Sequence, residues 1–513
     1  MNTYKHIVFS LVLGVCLTLG LLLLLGGVLP TVRAAPGELF VTPGGGGDCA
    51  QATPCDLETA LAQANDGDTV YVAQGTYTGA GAAVVTVTKS ITLYGGWDGT
   101  PTTPVVRDPD VHVTTLDGEG QRRVMRIAGP VTVTLEGLTL AHGKIISTAT
   151  EWNGAGLYAR NVTLTLRNTH VYSNATDVYD VASSYAYGGG VYVEGGTLQV
   201  ANSNFWGNST WAKSQTYGGG LAISDTLTAT VTGSLFQNND AWQASGLYFL
   251  GRPGDAAALN LSDSTFVGNG LGESLGSAYG GYAGAVRIDN AHARITDNVF
   301  RNSRATNDYG TVSVSNGDLY FARNAITENQ CRRTSGLYLR GVSPFTVTNN
   351  IIAGNRSSFV KSSAVRAGNS DGGFLHNTVV DNENIYGYPS SGFQIDGGAT
   401  VALTNTIVVS NALGITVTQG STASLEHTFF YAHSEGDTGG LGAITNTHPI
   451  TGQDPLLTAD YHLWADSPAI DAGVNAGVTL DIDGDGRPNG AGYDVGADEF
   501  YRSWNSFLPL VWR

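Results

Sequence analysis

Apolar and polar positions recur along this chain with a period far longer than one helical turn or strand repeat. Between residues 171 and 411 nine pairs, each an apolar residue followed three places later by asparagine, recur at a loose regular spacing. The pairs are Val171/Asn174, Phe205/Asn208, Phe236/Asn239, Phe266/Asn269, Val299/Asn302, Ile326/Asn329, Ile352/Asn355, Val379/Asn382 and Val408/Asn411. The asparagines lie 34, 31, 30, 33, 27, 26, 27 and 29 residues apart, a spacing that marks a stacked repeat. Inside each unit, short runs such as Thr197-Leu198-Gln199-Val200 and Val131-Thr132-Val133-Thr134-Leu135 alternate apolar with polar residues, as half-buried strands do. Glycine-containing turns open the units, for example Gly188-Gly189-Gly190 before Val191-Tyr192-Val193.

Two or three short strands and no helix per unit exclude helical and leucine-rich repeats, and propeller blades need about 40 residues. The pattern predicts an all-β fold, a right-handed single-stranded parallel β-helix, over residues 81–433. Each coil then lies about 4.8 Å above the last. Asparagine suits the sharp corner of each coil, and stacked amides pair from coil to coil. The apolar residue three places earlier fills the interior.

Residues 35–80 read as an entry module. Gly37–Val41 is a strand, and Asp56–Asn65 has an N-capping aspartate and apolar residues at helical spacing. A helix laid across the open end of a solenoid caps its core. The stretch 434–500 lacks the coil pattern and is expected to form a small irregular C-terminal cap, followed by a tail, 501–513.

Composition adds little to the fold and more to the setting. With 69 glycines and 13% charged residues, the chain suits strands and turns rather than helical bundles. A net charge of −17 excludes a general nucleic-acid binder. Lys5 and His6 precede an apolar run from Ile7 to Leu29, and Val32-Arg33-Ala34 offers small residues for cleavage. This predicts a signal peptide, residues 1–34, and a secreted or cell-surface protein. An uncleaved membrane anchor is the competing reading. In an oxidising compartment Cys49 and Cys55 are placed to form a disulfide. Cys331, beside Arg332 and Arg333, is either a plain unpaired cysteine or a thiol of lowered pKa.

The coils resemble the pectin-lyase-like right-handed β-helix proteins. The entry stretch Gly67-Asp68-Thr69-Val70-Tyr71-Val72-Ala73-Gln74-Gly75-Thr76-Tyr77 is similar to that of bacterial members. Asp454-Pro455-Leu456, Ser467-Pro468-Ala469-Ile470-Asp471-Ala472-Gly473, Asp481–Pro488 and Tyr493–Phe500 resemble the choice-of-anchor Q domain. The resemblance implies an exported bacterial surface protein; its coil motifs specify fold rather than activity.

Three features carry candidate chemistry. Asp481-x-Asp483-x-Asp485-Gly486 offers alternate carboxylates on a tight loop, which suits a structural Ca²⁺. Position 492 is Gly, so an EF-hand is not completed. From Arg287 to Arg366 eleven basic residues stand against five acidic ones in an otherwise acidic chain. Arg304, Arg332 and Arg356 follow their corner asparagines by two, three and one residues, so stacking predicts a basic strip. With Arg333, Lys361 and Arg366, and with Tyr309 and Tyr386 to stack on sugars, the strip is a candidate site for a polyanionic glycan. The alternative is an ordinary solvated face paired with Asp308 and Glu383. The third feature is the set of loops 175–187, 209–217, 270–283 and 383–390, rich in tyrosine, which either bind ligand or pack locally.

Catalytic motifs are sparse. There is no Asp-Asp pair, no Arg-x-Lys and no Arg-x-Pro-x-x-Arg; Ala141-His142-Gly143 is a partial match to Gly-His-Gly. Histidines 142, 170, 292 and 376 fall on different coils. A site assembled across coils from Asp177, Asp180, Asp240, Asp308 or Asp381 stays open. The expected function is a non-catalytic, monomeric surface protein that binds a polysaccharide or other surface polymer. The alternative is a polysaccharide lyase, hydrolase or epimerase.

Overall fold

The computed structural model describes residues 37–146, 151–178, 185–252, 254, 256–270, 284–305 and 309–501. The expected signal segment, 1–34, and most of the tail lie outside them. The chain folds as a right-handed parallel β-helix. Its strands collect into a 24-stranded and a 14-stranded sheet, with three small ladders of two or three strands. Long strands such as Leu157–Arg167, Val286–Thr296 and Val312–Ala322 bend midway, at Asn161, Asn290 and Asn316, where φ is 55°, 58° and 54°. The 24-stranded sheet therefore supplies two outer faces of the rod and the 14-stranded sheet a third.

Alternation puts one set of side chains inside, where they stack column by column. Phe205, Phe236, Phe266 and Phe300 lie parallel, with ring centroids 4.6, 4.6 and 5.1 Å apart. Offset stacking at this distance adds to the burial of each ring.

The corner asparagines form the expected ladder. Asn174, Asn208 and Asn239, and again Asn329 and Asn355, each donate from Nδ2 to the next coil's Asn Oδ1 at 2.9–3.1 Å. Asn239 uses its whole amide: Nδ2 donates to Asn269 Oδ1 and Phe205 O, while Oδ1 accepts from the backbone and side chain of Asn208. One pair is out of phase. Asn302 is exposed, and Ser303 holds the ladder place, accepting from Asn269 N and donating its own N–H to Asn329 Oδ1. Asn302 instead takes the left-handed position just before the ladder residue (φ 52°), as Ser173, Asn238 and Asp381 do in their coils. Both adjacent positions favour asparagine, one for its amide and one for its tolerance of positive φ, so the sequence motif does not separate them. A second ladder, Asn298, Asn324, Asn350 and Asn377, turns the opposite corner with bonds of 2.9–3.1 Å. Ser203, Ser234 and Ser264 hold its place in earlier coils, which hides the column in sequence.

At the entry Cys49 and Cys55 are joined as a disulfide. Helix α1, Leu57–Gln63, starts at Asp56, whose carboxylate accepts from Thr59 N at 2.7 Å. Leu57 and Ala60 turn into the core. Cys331 is buried, which pushes its thiol up to about 12, the opposite of an activated cysteine.

The C-terminal stretch departs from expectation in two ways. Coils continue past 433: Gly436–Gly440, Ala443–Thr447 and Ile450–Thr451 each pair with the preceding coil. Residues 452–501 then cover a side of the rod rather than its end. Leu463, Ala469, Val495 and Ala497 pack on outward side chains of the third face, Ile351, Ala353, Val380, Ile407, Val409 and Phe429. Left-handed corner residues hold it there. Asn349 Nδ2 donates to Leu480 O, His376 Nδ1 to Asp494 O, His427 Nδ1 to Ala472 O, and Asn405 bonds both Val474 N and O.

Candidate functional site

The basic strip assembles only in part. Arg304, Gln330, Arg356 and Glu383 share one column of successive coils, and Arg332 lies two residues further along. Arg356 Nε reaches Glu383 Oε1 at 2.9 Å. The guanidiniums of Arg332 and Arg333 lie over the Phe359 ring, 4.3 and 4.4 Å from its centroid. Arg366 pairs with Asp396 at 2.9 Å and covers Tyr338. Tyr309 lies against Tyr338 beneath Arg287. Arg304 and Lys361 are exposed, and Tyr386 is 68% exposed beside Tyr388. Two of the predicted cations, Arg356 and Arg366, are thus paired with carboxylates one coil away, and Arg332 and Arg333 are held over a ring. Of the tyrosine loops, Tyr187 and Tyr217 stack 4.8 Å apart and pack with Tyr192 and Tyr248, a local role. Residues 179–184, 271–283 and 306–308, with Tyr179, Tyr279, Asp180 and Asp308, lie outside the described residues. Asp240 is half-buried, and desolvation raises its carboxyl pKa; Asp381 holds a corner.

The second face carries a group that sequence inspection left scattered. Many of its outward side chains are small, such as Thr163, Thr165, Thr197, Thr228, Thr230, Ala402, Thr422 and Ser424, with Arg167 and Gln199 among them. Four polar or aromatic residues gather on two adjacent coils. His292 pairs with Asp318 and Arg294 with Tyr320 across adjacent coils. His292 Nδ1 lies 2.6 Å from Asp318 Oδ1, and the Arg294 guanidinium sits 4.4 Å above the Tyr320 ring. With Asn260 and Pro344 they line an open hollow of about 300 Å³. The stack orients the guanidinium while leaving its edge donors for a carboxylate, and the imidazole keeps Nε2 toward solvent. A usable signal was present. Both pairs are 26 residues apart, the same spacing as Asn298 to Asn324 in the ladder of those coils.

Comparisons agree on the architecture. A model of the right-handed β-helix region matches residues 277–430. Similar solved structures include the pectate lyase Pel9A (TM-score 0.35, 14% identity, 92% of this chain and 98% of that one). The periplasmic alginate epimerase AlgG gives 0.42 and 10%, over 80% of this chain and 84% of that one. The PL6 family alginate lyase AlyGC gives 0.33 and 10%, over 80% and 76%. No curated protein matches in sequence.

The aspartate loop is organised as a fold element. Asp481 is fully buried; Oδ1 accepts from Asp483 N and Asp485 N, and Oδ2 from Glu499 N. Its oxygens face donors, so among the described residues Asp481, Asp483 and Asp485 do not converge on one cation. Asp483 turns instead to His462 Nε2 at 3.0 Å, with Asp498 beside them. Burial lowers the His462 pKa, but Asp498, Asp483 and Asp460 outweigh it and the net shift is upward. This cluster borders a cleft of about 670 Å³ between the C-terminal segment and Arg301, Arg323 and Glu328 of the third face. Arg323 is paired with Asp297 at 2.7 Å.

Proposed function

We propose that the chain is an exported β-helix protein that binds an acidic polysaccharide on its second face, at His292, Arg294, Asp318 and Tyr320. The observation that carries this reading is the hollow itself, where a cation on a ring, an imidazole–carboxylate pair and an amide gather on neighbouring coils. A long shallow face suits a polymer, an aromatic platform suits sugar rings, and a fork of N–H donors suits uronate carboxylates. The export signal and the absence, among the described residues, of any helix long and apolar enough to span a membrane are compatible with it.

One observation favours a second reading, proton chemistry α to a carboxylate as in a lyase or epimerase. His292 is oriented by Asp318 beside Arg294, the base-plus-carboxylate-neutraliser arrangement such chemistry needs. The two readings separate in one experiment. Affinity electrophoresis in gels of pectate, alginate or neutral glucan should show retardation by the polyuronates. Arg294→Ala should weaken it about tenfold or more, given roughly 1.5–3 kcal/mol for a charge-assisted contact. Ultraviolet absorbance from unsaturated products, or a change in uronate epimer content, lost in His292→Ala, would establish the second reading. Equal mobility in all gels would sink both.

A further inference from the structure

Near the end of the coils the left-handed corner column places two histidines in succession, His427 and His448, with φ of 46° and 52°. Coil stacking sets them in register, since His427 N donates to Thr447 O and Glu426 pairs with Thr447. Their rings lie 5.0 Å apart at 23°. One ligand atom from each of Glu426, His427 and His448 falls within 4.8 Å of the others. The set differs from the His462 cluster, where an imidazole already bonds its carboxylate; here two imidazoles stack on each other, and Glu426 and His448 are exposed.

A second observation points to a ligand. His427 Nδ1 donates to Ala472 O at 2.9 Å, which fixes the proton on Nδ1 and leaves the Nε2 lone pair available. A carbonyl behind the far ring nitrogen is how metal-binding histidines are usually held.

We propose that Glu426, His427 and His448 form a site for a borderline divalent cation, Zn²⁺ foremost. Two imidazoles and one carboxylate suit Zn²⁺ and disfavour Ca²⁺, which takes oxygen ligands. Bonds of about 2.0–2.1 Å in a tetrahedron put ligands roughly 3.3 Å apart, so the side chains need to close by at most about 1.5 Å. A water completes the coordination. The ion ties three pieces together: the coil bearing His427, the final coil bearing His448, and the C-terminal segment through Ala472. The final coil has one stacked neighbour only, and its strands are largely exposed, with Leu441 at 83%. A clamp there protects the end where a solenoid frays.

The test is calorimetric titration of the EDTA-treated full chain with ZnCl2, repeated with Co²⁺ and read by its visible absorption. One saturable site is expected, with the intense bands of four-coordinate Co²⁺ and a rise in Tm. His448→Asn keeps a residue that accepts the left-handed corner, so folding is retained, and it should weaken binding at least tenfold. Asp483→Asn, at the His462 cluster, should leave binding unchanged. Saturable binding insensitive to His448→Asn but lost in Asp483→Asn would assign the ion to the other cluster and overturn the proposal. So would the absence of any saturable heat for either metal.

Discussion

Asn239 and Asn302 look equivalent in the sequence, and the structure gives them opposite weights. Asn239 is buried and closes four hydrogen bonds between coils, so alanine there orphans several buried groups at about 1–3 kcal/mol each. Asn239→Ala should lower stability by about 3 kcal/mol or more in guanidinium unfolding. Asn302→Gly, at an exposed left-handed position, should change it by less than about 0.5 kcal/mol. Equal losses would restore Asn302 to the ladder. His376 offers a pH test. Buried, its Nδ1 donates to Asp494 O and its Nε2 accepts from Asn405 Nδ2, so the ring must be neutral. Burial, then the nearby Arg487 charge, lowers its pKa to about 3. The unfolded chain binds a proton near pH 6.5 and the folded chain does not, so this stability is present above 6.5 and is lost as pH falls from 6.5 toward 3. The slope is up to about 1.4 kcal/mol per pH unit. Asp494, raised by burial to about 7, acts in the opposite sense between about pH 4 and 7, but it is common to wild type and variant. His376→Asn, matching its column neighbours Asn349 and Asn405, should flatten the wild-type loss of Tm below pH 6.5. Parallel Tm–pH curves would show that His376 carries no such linkage.

At the scale of elements, strand composition records where the C-terminal segment docks. One outward column of the third face runs Trp206, Gln237, Val267, Arg301, Thr327, Ala353, Val380 and Val409. Its early members are exposed or half-buried, while Ala353, Val380 and Val409 are buried under the segment. Strands such as Ile351-Ile352-Ala353 and Ile407-Val408-Val409 are apolar throughout because both sides are covered. This switch from alternating to continuous apolar residues was legible, but it names no partner; fifty residues of irregular chain supply it. Within the segment the Arg487–Glu499 pair is fully buried at 2.8 Å and organises the loops around it. Val380→Glu should undock the segment and open it to limited proteolysis between 452 and 501, while Gln237→Glu in the same column should not. Equal protease resistance would mean that the apolar contact is dispensable.

For the molecule as a whole, period, strand pattern and turn residues were enough to determine a parallel β-helix, the capping helix at Leu57–Gln63 and the Cys49–Cys55 bridge. In-register stacking gives each coil the same local environment, so the rule for one coil is written again in the next. What only the tertiary structure decided are relations between coils. It set the phase of Asn302 against Ser303, because two adjacent corner positions accept the same residue. It paired Arg356 with Glu383 and Arg366 with Asp396, which takes two cations out of the apparent basic strip. It turned Asp481 inward, brought His292 to Asp318 and His427 to His448, and laid residues 452–501 along a side of the rod. The contacts between coils join residues one coil or more apart, where side-chain direction and coil length decide the partner and local sequence holds no record of either.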